Sequence, residues 1–109
     1  MNRLHRLLLL TFSAVGLSLY GADAAANWKQ SCAKCHGPDG KGDTKMGHKL
    51  GILDLSDPDT QAKFSEDDIF KAVKLGRTDA NGKVTMKAIE GMTDDEVKAL
   101  EPFVRALKK

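Results

Sequence analysis

The two cysteines of this chain, Cys32 and Cys35, stand three residues apart, and His36 follows at once in the stretch CAKCHGPDGKGD. That stretch limits what the chain can build. Its 109 residues are a length for one domain, and 41% hydrophobic with 29% charged residues fits a folded chain. So small a domain buries a modest core and often leans on a cross-link, a metal or another staple. A disulfide between Cys32 and Cys35 closes too small a ring to constrain the rest, and it leaves His36 without a role.

Four chemistries use a cysteine pair at this spacing. A structural zinc site takes four ligands, typically from two paired clusters. Here there is no second cysteine pair, and His5 and His48 are poorly placed to replace one. A thioredoxin-like dithiol sits in a βαβ context, for which this sequence lacks the strands. A plain disulfide is the third. The fourth is covalent haem attachment, for which C-x-x-C-H is a recognised signature. On a helical turn, residues three apart share a face, so both thiols can reach one porphyrin's vinyl groups. His36 then stands close enough for its imidazole to reach the iron, and its other ring nitrogen is expected to donate to a backbone carbonyl. A buried macrocycle would also be the missing staple.

The N-terminus adds context. Asn2-Arg3-Leu4-His5-Arg6 is a basic head, Leu7–Tyr20 an apolar run, and Gly21–Ala26 a small-residue stretch. That order fits a signal peptide over residues 1–24, with A-x-A patterns for cleavage after Ala24 or Ala26. The alternative is a retained anchor, but 14 residues are short for a span that needs about 20. No cysteine follows the run as a lipid attachment point. Cleavage after Ala24 leaves residues 25–109, a chain of 85, with 15 Lys and Arg against 14 Asp and Glu. That balance, with no aromatic-rich basic stretch, gives no sign of a nucleic-acid partner.

The rest reads as helices and loops. Asn27–Lys34 is a short helix with Trp28 and Cys32 on one face, and residues 37–51, with five glycines, are loop. Ser56-Asp57-Pro58 opens one helical turn. Ser65 caps a helix with Glu66, Asp67 and Asp68 in its first turn, a Phe64–Ile69 staple, and Gly76 as its stop. Residues 76–92 form a long loop, with weak strand signals at Val84-Thr85 and at Gly51–Leu53. Thr93 and Glu96 form a capping box before a last helix whose apolar stripe is Val97, Leu100, Val104 and Leu107. Pro102 is expected to kink that helix locally without ending it. The class is all-α with much loop.

On these residues the chain resembles the class I c-type cytochromes, small single-haem electron carriers. The parts that carry the likeness are Trp28 four residues before Cys32, the CAKCHGPDGKGD stretch, the helix after Ser65, and the ending MKAIEGMTDDEVKALEPFVRALKK. The resemblance implies three to five short helices wrapped round one covalently attached haem c. First and last helices cross, His36 is one axial ligand, and a methionine in the loop before the last helix is the other. Met86 stands at the family's distance from that helix. Met92 already staples onto Val97, and Met46 follows His36 by only ten residues. Met46, His48, a lysine or an open position remain the alternatives. Two departures stand out: Lys87 follows Met86 where the family often has proline, and Gly47–Leu50 lacks the proline found near the histidine-side loop.

Trp28, Phe70, Phe103 and Val104 are candidates for packing round the haem. A His/Met pair implies a carrier of single electrons and not an enzyme, and the signal peptide implies a periplasmic one; a sensor or peroxidase with a weak or absent sixth ligand is the alternative. Segments 25–53 and 74–89 each carry a net charge of +3, and the stretch between them −4. Redox partner proteins are therefore expected to dock on a basic rim of Lys34, Lys45, Lys49, Lys83 and Lys87. No stable membrane anchor is expected, and the chain is expected to act as a monomer.

Overall fold

A computed structural model describes residues 19–109 of the chain. The first 18 residues of the expected signal peptide lie outside these described residues. The order is α1 (Leu19–Ser31), α2 (Ala33–His36), α3 (Lys45–Leu50), α4 (Pro58–Gln61), α5 (Glu66–Leu75), β1 (Arg77–Thr78), β2 (Val84–Met86) and α6 (Asp94–Ala106). The fold is all-α, with one small antiparallel hairpin, β1–β2, inserted before the last helix. Among the described residues no helix is long and apolar enough to cross a membrane.

Local chemistry explains most boundaries. The Ser65 hydroxyl accepts from the Asp68 N–H while the Asp68 carboxylate accepts from the Ser65 N–H, so both exposed donors at the start of α5 are satisfied. Thr93 and Glu96 do the same for α6. Asp57 caps α4 with Pro58 in its first turn. α6 runs on through the exposed Pro102 to Ala106. In the hairpin, the Asp79 carboxylate accepts from the Asn81 and Lys83 N–H groups at 2.9 and 3.0 Å, which folds the turn between the two strands. The strand signal at Val84-Thr85 thus corresponds to β2; that at Gly51–Leu53 corresponds to no strand.

Two expectations are corrected. The first helix is longer than Asn27–Lys34 and stops at Ser31, so that Cys32 becomes the N-cap of a separate turn, α2. The glycine-rich loop contains a helix of its own, α3, which raises the number of helices among the described residues to six. Thr44 starts it: its hydroxyl accepts from the Gly47 N–H at 2.8 Å and donates to the Cys35 carbonyl at 2.6 Å. Gly51, at φ 65, ends it.

The core forms where α1 and α5 pack on α6. Ala24, Trp28 and Cys32 recur at i,i+4 on one side of the first helix and its continuation. They meet Val97, Leu100 and Val104 of α6 and Ile69 and Val73 of α5, all buried. Trp28 lies 5.4 Å from Phe103, ring to ring, and Asn27 donates to the Glu96 carboxylate at 3.2 Å, so α1 is tied to both turns of α6 that it touches.

Arg105 closes the far end of α6. Its guanidinium donates to the Gln61 carbonyl and side-chain oxygen at 2.7 and 2.9 Å and to the Phe64 carbonyl at 2.6 Å, and it lies over the Phe64 ring at 4.8 Å. Gln61, itself buried, donates to the Leu55 and Val104 carbonyls. Planar, multi-donor geometry of this kind is specific to arginine. Arg105→Ala is expected to lower the unfolding free energy by about 2–3 kcal/mol, because it strands carbonyls and a buried amide. Arg105→Lys should recover less than half of that loss. The exposed Glu66 arm adds little. Urea unfolding of the haem-loaded protein, read as a shift of midpoint at constant slope, measures the loss.

Candidate functional site

Cys32, His36 and Met86 line one cavity of about 490 Å3. The remaining walls come from every major element: Trp28 of α1, Leu55 and Phe64 of the middle segment, Ile69 and Val73 of α5, and Leu100 and Val104 of α6. The size and the largely apolar lining suit a flat organic ligand of prosthetic-group size. Trp28 and Val104 therefore stand where the sequence suggested. Phe103 stands at the crossing of the first and last helices, against Trp28, and Phe70 packs on the core; neither lines the cavity.

The attachment segment is held from three sides. The indole N–H of Trp28 donates to the Gly37 carbonyl at 3.0 Å. The Gly42 N–H donates to the His36 carbonyl at 2.7 Å, and Thr44 holds the Cys35 carbonyl. Cys32 accepts on its own carbonyl from the Cys35 and His36 N–H groups, which completes the single turn that carries both thiols. Gly37, at φ 82 and ψ 163, occupies backbone space open essentially to glycine alone, and turns the chain away directly after His36.

Both cysteines are free thiols. Burial, with the nearby Cys35 charge second, pushes the Cys32 thiol up to about 11. A reactive dithiol is favoured by the opposite, a thiol lowered toward neutrality, so the burial of Cys32 speaks against it as a redox nucleophile. Among the described residues no group of three His, Cys, Asp or Glu stands together, so the zinc reading has no ligand set there.

Burial also lowers the His36 pKa, which keeps its imidazole neutral near pH 7, the form that ligates metal. Its ring lies 5.6 Å from that of Trp28. The expected backbone acceptor for its second nitrogen is not in place: Nδ1 is buried and has no hydrogen-bond partner. A buried imidazole nitrogen without a partner is costly unless something else engages the ring. A neutral histidine, two thiols on one turn and a largely apolar cavity that a thioether also lines fit a covalently held haem.

The other candidate ligands stand apart. Met46 is half-buried in α3 and Met92 packs on the core, and neither lines the cavity. His48 is exposed, its Nε2 2.8 Å from the Asp43 carboxylate. The five lysines of the expected rim are all exposed, and none lines the cavity or takes part in an ion pair among the described residues. The charged groups that do line it are Lys63, Lys71, Arg77 and Asp68.

Comparison with known proteins agrees with this chemistry. The family model for cytochrome c matches residues 21–108. Among solved structures, the chain is similar to the KustC0563 c-type cytochrome, with 36% identity and a TM-score of 0.68, covering 80% of this chain and 99% of that one. It is similarly close to a point mutant of that protein, at 35% identity and a TM-score of 0.65, covering 79% and 99%. No curated protein matches. Members of this family carry electrons on haem bound through cysteines and are not catalytic enzymes. The chain belongs to the cytochrome c family and is an electron-transfer protein of the c type.

Proposed function

We propose that the protein carries one electron on a single haem c bound through Cys32 and Cys35, with His36 and Met86 as the axial ligands. The observation that carries this reading is the shared cavity, to which attachment cysteine, histidine and methionine all contribute from opposite ends of the chain. A bound haem c supplies a one-electron iron couple, and a thioether ligand favours its reduced form.

The protein's own part is to hold and shield. Trp28 and Thr44 fix the carbonyls on either side of His36, so the imidazole enters the cavity from one wall. Ile69, Val73, Leu100 and Val104 give the cavity an apolar wall, and an apolar shell tunes a redox centre. Filling both axial positions leaves none for a small-molecule ligand. The chain is further proposed to reach the periplasm through cleavage after Ala24 or Ala26, which removes the start of α1 with Ala24 and leaves the rest as a monomeric haem domain. Intact mass of protein exported with the haem-attachment machinery tests the core of the reading. The expected mass is that of the mature chain plus one haem, lost in a Cys32→Ala/Cys35→Ala variant; the bare chain mass in the wild type would refute it.

Partner docking is proposed to use Lys34, Lys45, Lys49, Lys83 and Lys87, whose exposed charges, unpaired among the described residues, are free to attract an acidic partner. Such matching acts mainly on the association rate and is screened by salt over about 10 Å at 0.1 M. The bimolecular electron-transfer rate with an acidic redox partner should fall as ionic strength rises, and fall less steeply in a Lys83→Gln/Lys87→Gln variant. A flat wild-type profile would remove the rim from the account.

A further inference from the structure

Gly76 does more than end α5. Its backbone, at φ 74 and ψ −173, lies in a region essentially reserved for glycine. Its missing side chain also leaves room that another segment uses. A Cβ at this position would stand 2.6 Å from the Met86 carbonyl oxygen, 2.8 Å from the Ala88 nitrogen and 3.3 Å from the Lys87 carbonyl carbon. The first two approaches are closer than real Cβ atoms make, so backbone would have to shift. On either side of this contact the same segment is fastened to α5 and the strand that follows it. Arg77 pairs with Met86 across the hairpin, and the Ile89 N–H donates to the Val73 carbonyl at 2.8 Å. Gly76 itself borders the cavity.

We propose that Gly76 is a positioning residue for the sixth ligand: its bare Cα lets residues 86–88 lie flat on the end of α5, and this sets where the Met86 thioether enters the cavity. The proposal rests on the reading of Met86 as ligand. It assigns to a glycine ten residues away the role that the sequence leaves open at Lys87, where a rigid proline is missing. Any side chain at 76 pushes the Met86 strand outward as a unit, because the strand meets backbone there and not a flexible side-chain end.

Two other glycines serve as controls. Gly82, at φ 79, sits in the turn of the same hairpin, and Gly51, at φ 65, ends α3; a Cβ at either meets nothing within 4 Å. Alanine there imposes backbone strain, and at Gly51 the loss of a helix stop, without touching the Met86 segment. The experiment compares haem-loaded Gly76→Ala, Gly82→Ala, Gly51→Ala and Met86→Ala by mass, near-infrared spectrum of the ferric state and midpoint potential. Gly76→Ala is expected to keep its haem mass but lose the sulfur–iron charge-transfer band and shift to lower potential, as Met86→Ala does, while Gly82→Ala and Gly51→Ala keep both. A wild-type band and potential in Gly76→Ala overturn the positioning role and leave the Met86 ligand standing; an unchanged band in Met86→Ala overturns the ligand reading itself. Equal loss in Gly82→Ala also overturns the proposal, since strain alone would then suffice. Should Gly76→Ala not accumulate, hydrogen exchange of the wild-type protein in rising urea decides. The band is expected to vanish together with protection of the Ile89 amide, and a band that outlasts that protection overturns the proposal.

Discussion

On the proposed His36/Met86 ligation, Met86→Ala is expected to open the iron to added imidazole or carbon monoxide and to lower its potential. The axial ligand sets haem potentials over about 0.8 V, so exchanging a thioether for water or a lysine is expected to move this one by on the order of 100 mV or more. The direction follows from the ligand: thioether sulfur favours ferrous iron, and oxygen or amine donors favour ferric iron. Structural damage should be small by comparison. Met86 is half-buried at the cavity wall and the hairpin that carries it is held through backbone pairs at Arg77, Thr78 and Val73. Helix content and attached mass should therefore survive the change. Met46→Ala and Met92→Ala should leave potential and band in place, because neither side chain reaches the cavity. Potentiometric titration with optical detection separates these outcomes.

The second large effect is expected at Gly47. This glycine lies inside α3, where alanine would ordinarily favour the helix. Here its Cβ would collide with the Gly42 carbonyl oxygen and stand 2.9 Å from the Cys35 carbonyl oxygen. One obstacle belongs to the Cys32–His36 turn and the other to the loop that returns from it, and the two are joined by the Gly42-to-His36 bond. Overpacking in a well-filled interior costs about 1–3 kcal/mol, and a collision with backbone belongs at or above the upper end. Gly47→Ala is therefore expected to cost about 3 kcal/mol or more, a large share of a small domain's stability. The same exchange at Gly51, where the space is open, should cost far less. Thermal or urea unfolding of the haem-loaded variants measures the difference. Equal losses at both glycines would show that the close approach at Gly47 relaxes at little cost.

The capped helices were legible because their signals are local. Ser65 with Asp68, and Thr93 with Glu96, satisfy helix ends through residues three apart, and the stripe Ile69–Val73 or Val97–Leu100–Val104 follows from helical period alone. The turn that carries Cys32, Cys35 and His36 is local in the same sense, since their spacing alone puts both thiols on one helical turn.

What the sequence hid depends on distant contacts. α3 was masked by its glycines: Gly47 is required by Gly42 and Cys35, which lie in a separate stretch of chain, and the Thr44 cap is short and isolated. The length of α1 was obscured because its first half overlaps the small-residue stretch of the expected signal peptide. The cavity walls Leu55 and Phe64 come from irregular segments with no period to read. Phe70 and Phe103 belong to the right helices, but each turns toward the core beside the cavity. Arg105, which ties α6 to α4 and the segment before α5, carries no sequence motif at all.

The ferric near-infrared spectrum of the wild-type, haem-loaded protein tests the central claim most directly. A low-spin spectrum with a sulfur–iron charge-transfer band, absent from Met86→Ala, is the predicted result. A high-spin ferric spectrum, or a band that survives in Met86→Ala, would contradict the assignment of His36 and Met86 as the two ligands.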